Sequence, residues 1–168
     1  MDQLWAPWRM ELIEKGSPHQ GCIFCDLPRS ANDRENLVLG RTQHTFAILN
    51  RFPYNNGHLM VVPRAHQGEL HALAREENDE LGESLRVAVR LLGRAYAAQG
   101  HNLGMNLGRV AGAGIADHLH WHVVPRWNGD TNFMPVVGDT KVMIEHLGAS
   151  WDRLRPLFEK EFSTVASW

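Results

Sequence analysis

Two periods run through the order of apolar and polar residues in this chain. In "NLVLGRTQHTFAILN" (residues 36–50), short apolar runs rich in branched residues flank Gly40 and Arg41, which predicts two short strands around those residues. "GHLMVVPRAH" predicts a third strand, entered from the turn signal "PYNN" and Gly57 and stopped by Pro63. From about 75 to 99 the period changes to that of a helix. Leu81, Leu85, Ala88, Leu92 and Ala95 recur at helical spacing, Glu76 and Glu77 lie in the first turn, and Gly100 follows the end. "NLGMNLGRVAGAGIAD" then reads as a strand running into a glycine-rich loop. "WNGDTNF" reads as a loop, "KVMIEHL" as a strand or short helix, and "SWDRLRPLFEKEF" as a C-terminal helix despite Pro156. Hairpin-like spacings around one long helix predict an α+β fold with a largely antiparallel sheet.

One alternation carries chemistry. In "DHLHWHVVPRW", His118, His120 and His122 fall on every second residue. On a strand they would form one row with neighbours about 6.5 to 7 Å apart, while Leu119, Trp121 and Val123 face a core. Three uses fit such a row: packed structural imidazoles, ligands to zinc, or a nucleophile that attacks phosphorus or a carbonyl. A single ion shared by all three is awkward, because the outer two lie about 13 Å apart along a strand. Clustered imidazoles disfavour one another's protonation, which keeps one of them nucleophilic at neutral pH. The small residues of "AGAGIAD" just upstream let backbone N–H groups approach an anion, so the combination suggests phosphate beside imidazole.

Composition narrows the partners. The 168 residues suggest one domain. It divides into a Trp- and Pro-rich arm over 1–20, a body over 21–147 and a C-terminal helix over 148–168 that packs on it. A net charge of −2 provides no global basic field, which argues against nucleic acid and leaves any anionic substrate to a local site. No apolar run approaches the ~20 residues of a membrane span. The N-terminus lacks the blocks of a secretory signal, and two cysteines three positions apart fit a reducing, cytoplasmic setting. "CIFC" alone reads as a zinc half-site or a redox pair. His19, His71, His101 and His146 read as surface residues, and Trp5 and Trp8 as packing groups. Arg109 and Lys141 read as solvated charges within reach of a polyphosphate. Trp127 either borders a nucleotide pocket or caps the sheet.

"HLHWHVV" resembles the signature of the histidine triad (HIT) superfamily, in which three histidines alternate with apolar residues and two further apolar residues follow. The likeness extends through "FAILNRFPYNNGHLMVVPRAH", "MNLG" and "AGAGIADHLHWHVVPRWNGDTNF" and covers most of residues 4 to 143. "LWAPWRM" and "FPYNNGHLMVVP" resemble the bacterial diadenosine-tetraphosphate phosphorylase-like branch in particular. The resemblance implies a HIT-like α+β fold with about five antiparallel strands, and a homodimer. It also implies a nucleotidyl hydrolase or transferase acting on dinucleoside polyphosphates. His120 would attack the α-phosphorus, and His122 would hydrogen-bond the phosphate and assist the leaving group. His58 matches a fourth histidine near the phosphate, Asn50 a contact to the ribose hydroxyls, and Asn106 a polar group near the phosphate. Backbone amides from Gly112 to Gly114 would face the phosphoryl oxygens. Relatives carry Gln or Ser four residues before the first histidine. Gly114 stands there here, which opens the choice between water and phosphate as acceptor.

For the cysteines, the resemblance implies a closed Cys₂His₂ zinc site of Cys22, Cys25, His66 and His118, structural in role, with His44 as the rival fourth ligand. Any need for Mg²⁺ stays open. The competing readings are a non-catalytic nucleotide sensor or adaptor, and a hydrolase of adenosine phosphoramidates. A zinc hydrolase using all three histidines is a further rival. A uridylyltransferase fits less well, since those relatives are longer chains with two such domains.

Overall fold

The computed structural model describes residues 21–138, 140 and 142–165; the expected arm, Trp5, Trp8, His19 and Lys141 lie outside the described residues. A short helix α1 (Ile23–Asp26) and a second, α2 (Asp33–Asn36), lead into strands β1 (Val38–Arg41), β2 (Thr45–Leu49) and β3 (Leu59–Pro63). Helix α3 (Arg75–Tyr96), strands β4 (Gly100–Gly104) and β5 (Trp121–Arg126), helix α4 (Met134–Gly138) and helix α5 (Leu147–Val165) follow. The strands form one antiparallel sheet in the order β1-β2-β3-β5-β4, with α3 lying across β2, β3 and β5 and α5 across β1. The α+β expectation holds. No helix among the described residues is long and apolar enough to cross a membrane.

Period-two geometry sorts the sheet into two faces. Thr45 bonds Ser84 of α3 at 2.7 Å, so Thr45, Ala47 and Leu49 face the helix, as do their register partners Pro63, Val61 and Leu59. Val123 and Trp121 continue that face through their pairing with Leu59 and Val61. Phe46, Ile48, Met60 and His122 occupy the opposite face, where Phe24 of α1 lies 6.5 Å from the Phe46 ring. Because both faces are covered, every residue of β2 and β3 is buried.

Several boundaries differ from expectation. Gly40 and Arg41 belong to β1 itself, and the turn falls at 42–44, where Thr42 Oγ1 donates to the Thr45 carbonyl. Gly40 serves proximity rather than a turn: a Cβ there would lie 3.3 Å from the Phe158 carbonyl oxygen of α5. Helix α3 ends at Tyr96, before Gly100, with Ala97 in the left-handed region (φ 49°). The Trp127 indole donates to the Tyr96 carbonyl at 3.1 Å, so Trp127 caps the helix end. "KVMIEHL" forms neither strand nor helix over 142–146. Val142 and Ile144 are exposed there, and Glu145 anchors the segment by accepting from Tyr96, Ser150 and Arg153. His101, expected at the surface, is half-buried and its Nε2 has no hydrogen-bond partner. Pro156 does sit inside α5. Its cost of about 3 kcal/mol is met by burial of Leu154, Phe158, Phe162 and Val165, at roughly 1.5 to 3 kcal/mol for a large apolar side chain.

Candidate active site and metal cluster

The histidine row is not one strand. β5 begins at Trp121, so only His122 lies in the ladder; His118 and His120 precede it. Pro63 supplies the physical reason. Continuing the register would set Leu119 opposite Pro63, which has no N–H to donate. The Leu119 N–H itself donates to the Gln67 carbonyl at 2.7 Å. The alternation of faces nevertheless persists, with Leu119 and Val123 buried and Trp121 half-buried.

Hydrogen bonds fix the tautomers. The His118 carbonyl accepts from His120 Nδ1 at 2.9 Å, which assigns the proton to Nδ1 and the lone pair to Nε2. Burial holds His120 below the ordinary imidazole value, against the opposing effect of that backbone bond. A second chain begins at the Tyr54 N–H, which donates to His58 Nδ1 at 3.0 Å. His58 therefore carries its proton on Nε2 and donates it to His122 Nδ1, also at 3.0 Å. The proton of neutral His122 falls in turn on Nε2. The His120 and His122 rings lie 5.2 Å apart, and those of His122 and His58 5.1 Å.

Asn50 joins this group. Its Oδ1 accepts from the Phe52 N–H at 2.9 Å, and its Nδ2 lies 3.5 Å from His58 Nε2. Asn106 braces the glycine loop, donating to the Gly112 carbonyl at 3.2 Å. Within that loop the N–H of Gly112 donates to Arg109 and that of Ala113 to Gly108. Two of the three amides expected to face an anion are thus engaged by the loop itself, and Gly114 lies exposed beyond them.

Cys22, Cys25, His66 and His118 converge, with one ligand atom from each within 4.8 Å of all the others. His118 Nδ1 lies 3.2 Å from Cys22 Sγ and 3.7 Å from Cys25 Sγ, and His66 Nδ1 lies 3.4 Å from Cys25 Sγ. A tetrahedral zinc with bonds of about 2.0 to 2.3 Å places its ligand atoms roughly 3.3 to 3.8 Å apart, so the donor set fits that ion. His118 Nε2 donates to the Pro63 carbonyl at 2.8 Å, which leaves Nδ1 as the lone pair facing the thiols. Burial, then the neighbouring Cys22 thiol, push the Cys25 thiol up; a divalent cation would invert that local field. His44 is not in the cluster; its N–H donates to Glu80.

Two contributors have no motif. Phe24, inside "CIFC", packs its ring 5.4 Å from His118 and 5.0 Å from His120, wedging the cluster against the histidine row. Tyr54 stacks on His58 at 4.8 Å with ring planes 22° apart. An aromatic between the cysteines was the one available signal for the first.

Beside the five-stranded antiparallel sheet the main chain thus orients His58, His118 and His120, and His58 orients His122. The chain belongs to the HIT domain family, whose model matches residues 32–129. It is 40% identical over 151 residues to the AP-4-A phosphorylase of Mycobacterium tuberculosis, an alignment covering 85% of this chain and 77% of that one. It is 30% identical over 107 residues to an adenosine 5′-monophosphoramidase of Schizosaccharomyces pombe, covering 64% and 75%. Among solved structures it resembles a zinc-bound histidine triad family protein from Mycobacterium smegmatis, with TM-score 0.63, 25% identity, and coverage of 82% and 93%. A hypothetical histidine triad nucleotide-binding protein from Sulfolobus tokodaii gives TM-score 0.64 at 25% identity, covering 86% and 93%.

Proposed function

We propose that this chain cleaves dinucleoside polyphosphates, diadenosine tetraphosphate foremost, by nucleotidyl transfer through His120 to inorganic phosphate. The observation that carries the reading is the hydrogen bond from His120 Nδ1 to the His118 carbonyl, which aims a lone pair at Nε2 beside His122. The relative at 40% identity bearing the AP-4-A phosphorylase name supports the substrate.

In the first step His120 Nε2 forms a bond to the α-phosphorus as the bridging P–O bond breaks. The electron pair leaves with the triphosphate of ATP, a weakly basic group that needs no proton to depart. His122 Nε2–H stabilises it by hydrogen bonding, and the amides from Gly114 onward meet the equatorial oxygens. In the second step a phosphate dianion attacks the same phosphorus, the N–P bond breaks, and ADP leaves. The relay from Tyr54 through His58 gives His122 a donor rather than a base toward the substrate. A phosphate dianion requires no deprotonation and water does, which favours phosphorolysis. Asn50 holds the ribose hydroxyls of the attacked nucleotide.

Cys22, Cys25, His66 and His118 would hold zinc, which would supply a fixed structural anchor. The carbonyl of one ligand, His118, orients the nucleophile, so the anchor sets the aim of His120. A homodimer belongs to the same reading.

Product analysis with diadenosine tetraphosphate tests the reaction, with His120→Ala as the blank. ADP and ATP formed only when phosphate is present are expected, together with an adenylylated His120 in its absence. AMP and ATP regardless of phosphate would make the protein a hydrolase. Cleavage of adenosine phosphoramidate alone would favour the activity named for the relative at 30% identity. Turnover retained by His120→Ala would overturn the mechanism.

A further inference from the structure

We propose that Phe52 and Tyr54 form a stacking platform for the base of the leaving nucleotide, an inference that rests on the dinucleotide reading above. Both rings project from the loop between β2 and β3, with Phe52 60% and Tyr54 39% exposed. Large aromatic groups left in water forgo the gain of burial. These two are held there by hydrogen bonds on their own backbones, Phe52 N–H to Asn50 Oδ1 and Tyr54 N–H to His58 Nδ1. Pro53 between them fixes the backbone further. The platform is therefore built before a ligand arrives.

Its place follows from the geometry of displacement. The nucleophile and the leaving oxygen lie on opposite sides of the phosphorus, so the leaving group departs away from His120. His122 lies 5.2 Å from His120, and Tyr54 packs on the His122–His58 pair, whose rings are 5.1 Å apart, at 4.8 Å from His58. Tyr54 also lies 6.0 Å from His122, the residue assigned to the leaving group. A flat aromatic surface accepts any base, because every base has a π-face. The attacked nucleotide has its own contacts at Asn50 and the histidines, so loss of the platform affects dinucleotides selectively.

Equilibrium binding tests this in a His120→Ala background, where turnover is removed, using diadenosine tetraphosphate and AMP as the two probes. Phe52→Ala is expected to weaken the dinucleotide about tenfold, within the range for loss of one base stack, while AMP, which has no second base, is little affected. Phe52→Trp restores the dinucleotide affinity. Equal losses for both probes would overturn the platform in favour of a loop-holding role. An unchanged dinucleotide affinity, or a wild-type protein binding the dinucleotide no more tightly than AMP, would also overturn it. The reaction is read separately, from phosphate-dependent product formation by the wild type. Selective loss of dinucleotide binding without any such turnover would leave the platform standing and remove the proposed activity.

Discussion

Gly68 lies in the segment between His66 and the long helix, and a single methyl group there tests how tightly the metal cluster is coupled to the histidine row. A Cβ at Gly68 would lie 2.8 Å from the Ala116 carbonyl oxygen and 3.2 Å from Asp117 Cα. Both are backbone atoms, so no side chain is available to swing aside. Its φ is not in the left-handed region, which removes backbone strain from the comparison. Relief requires the 66–68 segment to part from 116–119, the two being tied by the bond from the Leu119 N–H to the Gln67 carbonyl. Overpacking of this kind costs about 1 to 3 kcal/mol. At roughly 2 to 4 °C per kcal/mol for a chain of this size, Gly68→Ala lowers Tm by roughly 2 to 12 °C. Gly82, inside α3 with nothing within 4 Å of its added Cβ, is the control; Gly82→Ala gains up to about 1 kcal/mol. Thermal unfolding, zinc content and kcat are measured on both variants. Gly68→Ala loses stability, zinc and kcat together if the segments act as one unit. Full zinc and full kcat in a destabilised Gly68→Ala would refute the coupling, and an unchanged Tm would refute the steric argument itself.

Cys22→Ala is expected to lose the metal and lower Tm. For the wild type, removing zinc present at about a thousand times its dissociation constant withdraws about 4 kcal/mol, read from chelator titrations followed by unfolding. His58→Ala should reduce kcat on the order of 10- to 100-fold, as expected for a group that orients another. His58→Gln, which keeps a donor toward His122, should recover part of it, and equal rates for the two would remove the relay. Glu145 supplies a pH test. Burial pushes its carboxyl up, but hydrogen bonds from Tyr96, Ser150 and Arg153 outweigh it and leave the group below its ordinary value of 4.5. The stability it contributes is therefore complete above about 4.5 and lost as the pH falls through the lower folded value. The Tm advantage of wild type over Glu145→Gln should accordingly be present at pH 6 and vanish in acid; a constant difference would contradict it.

The elements that were legible in the sequence are those whose signal is local. The Leu81–Leu92 stripe and the "HLMVVP" run each expose their period within a few turns or pleats, and both lie within a few residues of the helix and strand they predict. Ends were harder, because they depend on partners elsewhere. Nothing near Tyr96 announces that an indole from Trp127 will close the helix, and Ala97 takes a left-handed conformation usually marked by glycine. The site divided in the same way. Cys22, Cys25, His66 and His118 were found through side-chain identity and resemblance. The carbonyls of Pro63 and His118, which orient the imidazoles, belong to the backbone and carry no code of their own. The row of three histidines reads as a continuous strand and is not one for a related reason. Its disruption comes from the missing N–H of Pro63, 55 residues before His118.

The division of the sheet into a helix face and a face that bears His122 has a consequence for how this protein fails. Met60 and His122 are partners across β3 and β5, and Leu59 and Val123 are the neighbouring pair. A slip of one residue in that pairing would exchange the faces, turning His122 toward the helix and Val123 outward. No intermediate registry leaves a slightly misplaced imidazole. Misfolded molecules should thus be silent rather than sluggish, and the specific activity of a preparation becomes a head-count of correctly registered chains.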